Sequence, residues 1–234
     1  MVYSQAQFNI DLINIKIETN NKLLSILATG QILDYSIITA KNDKDLGEYF
    51  DTLKEGLSNH ENTEPSHYFH GMLLIKYVSC LEYFFVELMK LILTKYPHKV
   101  GKVEFALSDI LDMTNDELVI LASERYINKI MYKKPQDYLN ELCTTLSISK
   151  EELVSPWSGY IEAKARRDLG IHNDWKVNET YLKKNKEAGN DNIDKNIGEL
   201  AFPDRNYINS VFNLSKELIN NIVTQVEAKY VETN

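Results

Sequence analysis

The 234-residue chain predicts an all-α protein, a helical bundle with an N-terminal helical extension. Three observations carry this expectation. Only 9 glycines and 5 prolines are present, too few to punctuate an all-β fold with its frequent turns. Apolar residues recur at steps of three and four over long stretches, the spacing that lines one face of a helix. The composition, 44% apolar and 26% charged, suits a globular chain long enough to bury a sizeable core.

The elements follow in order. Phe8, Leu12, Ile15, Leu23 and Leu27 predict a first helix over 4–29, which Gly30 weakens or ends. A shorter helix is expected over 44–59, followed by the polar linker from His60 to Pro65. That linker divides the chain into an extension, 1–62, and a main helical unit, 63–234. Ser66 can cap the next helix by accepting an orphan backbone N–H. This helix, over 67–96, carries Leu74, Val78, Leu81, Phe85, Leu88 and Ile92 on one stripe and stops at Pro97. Two more are predicted at 115–132 and 136–146, separated by Pro135. Ser149 and Glu152 have capping-box spacing, opening a helix that carries Trp157, Ile161 and Ala165 towards a break at Gly170. Residues 173–202 read as a long polar loop, and a final helix runs from Asp204 to Tyr230.

Bulk properties narrow the function. The formal charge of −8 argues against a dedicated duplex-DNA binder, and leaves room for a local polyanion site. Basic groups gather between Lys164 and Lys186, though Asp168, Asp174 and Glu179 lie among them and Glu162 just before them. Met72–Leu93 is the most hydrophobic run, but Lys76, Glu82, Glu87 and Lys90 interrupt it, so no membrane span is expected. No secretory signal is visible at the N-terminus. Cys80 and Cys143 lack metal or redox spacing and read as buried free thiols, fitting a cytoplasmic protein.

One segment combines groups that can do chemistry: Glu162-Ala-Lys-Ala-Arg-Arg-Asp-Leu-Gly-Ile-His-Asn173. Arginine can hold a phosphate and histidine can move a proton near neutral pH, so the two together suffice for RNA cleavage without a metal or other cofactor. Five residues apart on a regular helix, Arg167 and His172 point about 140° away from each other. A break at Gly170, or a second chain across a two-fold axis, would bring such pairs together. Arg166 competes for the same role; Arg167 is preferred because the polar Asp168 follows it. Asn173 either bonds a phosphate or caps the helix, with capping the simpler role. Lys164, Lys176 and Tyr181 are candidate substrate contacts, although an isolated aromatic such as Tyr181 is more often core. His67 and His70, near His60 and Glu64, have a metal-like spacing; with no fixed fourth ligand, a solvated helix start accounts for them better.

The run from Glu162 through Arg167-Asp168 to His172-Asn173, followed by a polar loop and Tyr181, resembles the HEPN family of helical ribonucleases. So do the long apolar helix before it and the final helix after it, over residues 66–232. Two departures are present: Asp168 stands where the family often has Asn, and Asn173-Asp174-Trp175 follows the His where glycine is common. The resemblance implies a homodimer whose two Arg/His pairs line one cleft. There His172 would act as acid or base on the ribose 2′-hydroxyl or the 5′-oxygen, while Arg167 stabilises phosphate charge. It also implies RNA as substrate, no metal, and a toxin–antitoxin or anti-phage role with a possible antitoxin or defence-system partner. The alternative is a non-catalytic helical module of the same fold that dimerises or binds a nucleotide or protein.

Overall fold

The computed structural model describes residues 4–42, 48, 65–191 and 193–231. Among these residues there are eight α-helices and no β-strand: α1 Gln5–Asn42, α2 Pro65–Lys95, α3 Leu107–Ile110, α4 Asn115–Met131, α5 Pro135–Leu146, α6 Val154–His172, α7 Glu179–Glu187 and α8 Arg205–Tyr230. The fold is all-α, as its sparse turn residues and helical spacing require. None of these helices is long and apolar enough to cross a membrane.

Helix α2 is the hub. Its expected stripe, Leu74, Val78, Leu81, Phe85, Leu88 and Ile92, is buried, and so are Leu73, Tyr77, Phe84, Met89 and Leu93 on the helix's other sides. A helix apolar nearly all round must be covered nearly all round, and α1, α4, α5, α6 and α8 pack about it. Phe85 sits at the centre of an aromatic cluster, with ring centroids 5.3 Å from Tyr160, 5.8 Å from Trp157 and 6.3 Å from Tyr138. Edge and tilted contacts of this kind add to area burial. Both cysteines are free and buried, and burial pushes each thiol up to about 11.

Several boundaries differ from the sequence expectation. Gly30 does not end α1, which continues to Asn42. A Cβ there would come within 2.9 Å of Leu73 Cδ1, so this glycine permits close approach of α1 to α2. Phe8, Leu12, Leu23 and Ile26 of α1 join the same core as α2, α5, α6 and α8. The 1–62 and 63–234 segments therefore do not form separate cores where they are described. The expected helix over 44–59 and the His60–Pro65 linker fall almost wholly outside the described residues. Ser66 lies inside the first turn of α2, behind Pro65, and is not its cap. Pro135 opens α5, where its missing N–H costs nothing. The Ser149/Glu152 capping box does not form: Ser149 Oγ accepts from Glu151 N–H at 3.3 Å, and α6 starts only at Val154. A full capping box forms instead at Thr114 and Glu117, ahead of α4.

The 173–202 stretch is more ordered than a polar loop. Asn178 caps α7 by accepting from Tyr181 N–H at 2.9 Å, and Lys176 and Leu200 form an isolated antiparallel bridge. Ala165, Leu169, Val177, Tyr181 and Ala201 make a small second core that fastens this return to α6.

Candidate active site

Gly170 does not break α6, which runs on through His172. Its lack of a side chain serves packing: a Cβ would lie 2.4 Å from Trp175 Cζ2, and one on Gly71 of α2 would lie 2.5 Å from the same atom. The indole is wedged between two glycines on two helices. To place it there the chain turns sharply after α6, with Asp174 at φ 52° and Trp175 at φ 61°. Left-handed backbone is unfavourable for side-chain-bearing residues, and burial of the Trp175 indole, 7% exposed, offsets it. Trp175 N–H also bonds Leu169 C=O at 3.1 Å, closing the helix end.

With α6 regular to its last residue, Arg167 and His172 still line the same cleft. It holds about 550 Å³ between α2, α4, α5, α6 and α7. The two residues share this lining although they diverge on the helix, and the Arg167 guanidinium is turned to Glu82 and Asp168. Its lining includes Glu82 of α2, Lys164, Arg167, Asp168 and His172 of α6 and Lys184 of α7, together with Asn128 and Met131 of α4, Tyr132 and Lys133 of the α4–α5 turn and Pro135 of α5. Lys133 is paired with Glu141, so three fixed cations, Lys164, Arg167 and Lys184, stand against Glu82 and Asp168, a small positive excess on an acidic chain.

Arg167 is held on two sides. Its Nη1 and Nη2 donate to the two oxygens of Glu82 at 3.1 and 3.2 Å, and its Nε donates to Asp168 at 3.0 Å. Lys164 shares Glu82 at 2.8 Å, and Lys184 reaches the other oxygen of Asp168 at 2.9 Å. Burial raises the Glu82 carboxyl, but Lys164 and Arg167 outweigh it, leaving its pKa below the ordinary 4.5. Burial works against the Arg167 charge too, yet the bonds to Glu82 prevail and its pKa is raised. Three bonds to these carboxylates occupy three of the five guanidinium N–H donors, leaving one N–H on each terminal nitrogen, on opposite edges of the plane. His172, by contrast, is exposed at the end of α6.

The neighbouring arginine is used differently. Arg166 Nε donates to Glu162 at 2.7 Å, and its guanidinium lies 4.0 Å over the Tyr207 ring. Tyr181 Oη donates to the same Glu162 oxygen at 2.6 Å, and Tyr207 Oη donates to the other. This buried network ties α6 to α7 and α8. Burial, reinforced by the Glu162 charge, pushes both phenols above their ordinary value. Arg166 and Tyr181 are therefore internal struts outside the cleft, and Tyr181, 1% exposed, has no surface to offer a substrate. Lys176 is exposed but does not line the cleft. Asn173 caps: it is the C-cap of α6, and its Nδ2 donates to Lys176 C=O at 2.5 Å, shaping the turn.

Glu82 was not expected in the site. The signal was available: a carboxylate beside Leu81 on a helix otherwise buried nearly all round needs a charged partner. Its partner lies 85 residues away, and only packing of α2 on α6 identifies it. Elsewhere, His67 stacks on Phe202 with centroids 5.2 Å apart, and His70 bonds Asp34 at 3.1 Å. Among the described residues no three His, Cys, Asp or Glu side chains gather in a metal-ligating group.

No known protein family, curated protein or solved structure matches this chain.

Proposed function

We propose that the cleft cleaves RNA without a metal, by attack of a ribose 2′-hydroxyl on the adjacent phosphate. The observation that carries this reading is that Arg167 and His172 are both in the lining of one cleft, together with Lys164 and Lys184. An N–H of Arg167 not taken by Glu82 or Asp168 donates to a phosphate oxygen, and its charge stabilises the charge that builds there. His172 takes the 2′-hydroxyl proton as the 2′-oxygen bonds to phosphorus. The bond from phosphorus to the 5′-oxygen breaks, and that oxygen takes a proton. His172 of a second copy is the donor we propose for it, which makes the working species a homodimer. A toxin or anti-phage role rests on the resemblance of the Arg167–His172 segment to HEPN ribonucleases.

Incubating the protein with RNA in EDTA tests the reading. The expected products carry 2′,3′-cyclic phosphate and 5′-hydroxyl ends by mass spectrometry, and 2′-O-methylation at the cut site blocks cleavage. Products with 5′-phosphate ends would overturn the mechanism.

One observation favours a second reading. Because Glu82 and Asp168 engage Arg167 on three nitrogens, that arginine can also act as a strut between α2 and α6 in a non-catalytic module. Intact RNA after the same incubation would support this alternative.

A further inference from the structure

We infer that the turn between α4 and α5 is a nucleobase-stacking subsite, with Tyr132 as its platform, and that it restricts the cleft to single-stranded RNA. This rests on the reading of the cleft as an RNA site. Tyr132 is 91% exposed, more than any other exposed large hydrophobic side chain among the described residues. An isolated exposed tyrosine needs no explanation. This one lines the same cleft as Arg167 and His172.

The turn that presents Tyr132 is held in place. Tyr132 N–H bonds Ile130 C=O. The next residue, Lys133, pairs with Glu141, which also accepts from Tyr126 Oη at 2.9 Å. At the far end of the turn, Trp157 Nε1 donates to Pro135 C=O at 3.0 Å. An aromatic ring on a braced turn is displayed to solvent without the ordering cost of a loose loop.

The lining of the cleft combines the chemistry that a nucleotide needs. Arg167, Lys164 and Lys184 supply the cations. Met131, Tyr132 and Pro135 supply apolar lining around Lys133, which is paired with Glu141, and Asn128 is an uncharged amide able to bond a base edge. A nucleotide held in this cleft has cations for its phosphodiester and an aromatic ring for its base within one lining. Only an unstacked base can lay its π-face on Tyr132; in a duplex the faces are already stacked on one another. The subsite therefore selects loops and single strands, whichever base they carry.

The test uses the full chain and an uncleavable probe, a fluorescently labelled 2′-O-methyl RNA octamer, single-stranded or annealed to its complement. In fluorescence anisotropy, wild type should bind the single strand more tightly than the duplex. Tyr132→Ala should weaken single-strand binding by roughly tenfold or more, the scale of one lost base–aromatic stack. Tyr132→Phe, which keeps the ring, should bind like wild type, and thermal unfolding should show both variants folded. Equal affinities of Tyr132→Ala and wild type would overturn the subsite, as would duplex binding as tight as single-strand binding, or no binding by wild type. The two readings fail separately. Tyr132-dependent binding with no cleavage of unmodified RNA sinks the nuclease and keeps the subsite; cleavage with an unaltered KM in Tyr132→Ala does the reverse.

Discussion

Arg167 and His172 differ in what else they do, and their variants should differ accordingly. His172 is exposed, so His172→Ala should abolish cleavage while leaving the unfolding midpoint within experimental error of wild type. Arg167 also anchors Glu82 and Asp168, and its removal leaves a half-buried carboxylate with Lys164 as its remaining partner. Arg167→Ala should abolish cleavage and cost about 1–3 kcal/mol in urea unfolding. Arg166→Ala should be worse for stability, about 3–5 kcal/mol, because it strips the guanidinium from the buried Glu162. Retained cleavage in a folded Arg167→Ala protein would show that the catalytic arginine is misassigned.

At the scale of elements, two contacts fix how α6 meets α2. The first is Trp175 between Gly71 and Gly170. Alanine normally stabilises a helix over glycine by about 1 kcal/mol, but here its methyl would overlap the indole. Gly170→Ala should therefore lower stability by a net 1–2 kcal/mol or so. Shrinking the indole in Gly170→Ala/Trp175→Phe should make the glycine substitution cheaper than it is alone. A stabilised single variant would contradict the wedge.

The second contact is Glu82 with Lys164 and Arg167. The folded pKa of Glu82 lies below the ordinary 4.5, so the unfolded chain binds its proton first as the medium is acidified. The tie is fully present above about pH 5 and is lost as pH falls from there through the lowered folded value. Glu82→Gln should cost about 2–3 kcal/mol at pH 7, and the gap to wild type should narrow towards pH 3. A gap that does not change with pH would mean that Glu82 acts through packing alone.

At the scale of the whole molecule, one chain suffices to bring Arg167 and His172 to one cleft, so a partner chain is not needed for that. What a single cleft lacks is a second histidine, for among the described residues His172 alone lines it. A step that removes one proton and delivers another is best served by two such groups, and an isologous pairing supplies them. Co-refolding wild type with an excess of His172→Ala chains should then depress activity below simple dilution. Activity that tracks the wild-type fraction linearly would remove the second copy from the mechanism.

The sequence alone determined the helical class, the buried stripe of α2, the site of Trp157 in the core and the Arg167–His172 pair as the chemically capable segment. These follow from local periodicity and from side-chain chemistry, which the chain carries whatever its packing. The roles of glycine and of charge needed the tertiary structure. Gly30 and Gly170 read as helix stops because the only local signal of a glycine is its flexibility; their function is the space they leave for Leu73 and Trp175 on other segments. The division of labour between adjacent arginines was equally hidden. Arg166 turns to Glu162 and the tyrosines of α7 and α8, while Arg167 turns to Glu82 of α2 and the cleft. An ion pair is decided by which carboxylate packing brings within about 4 Å of the cation, and sequence spacing does not encode that distance.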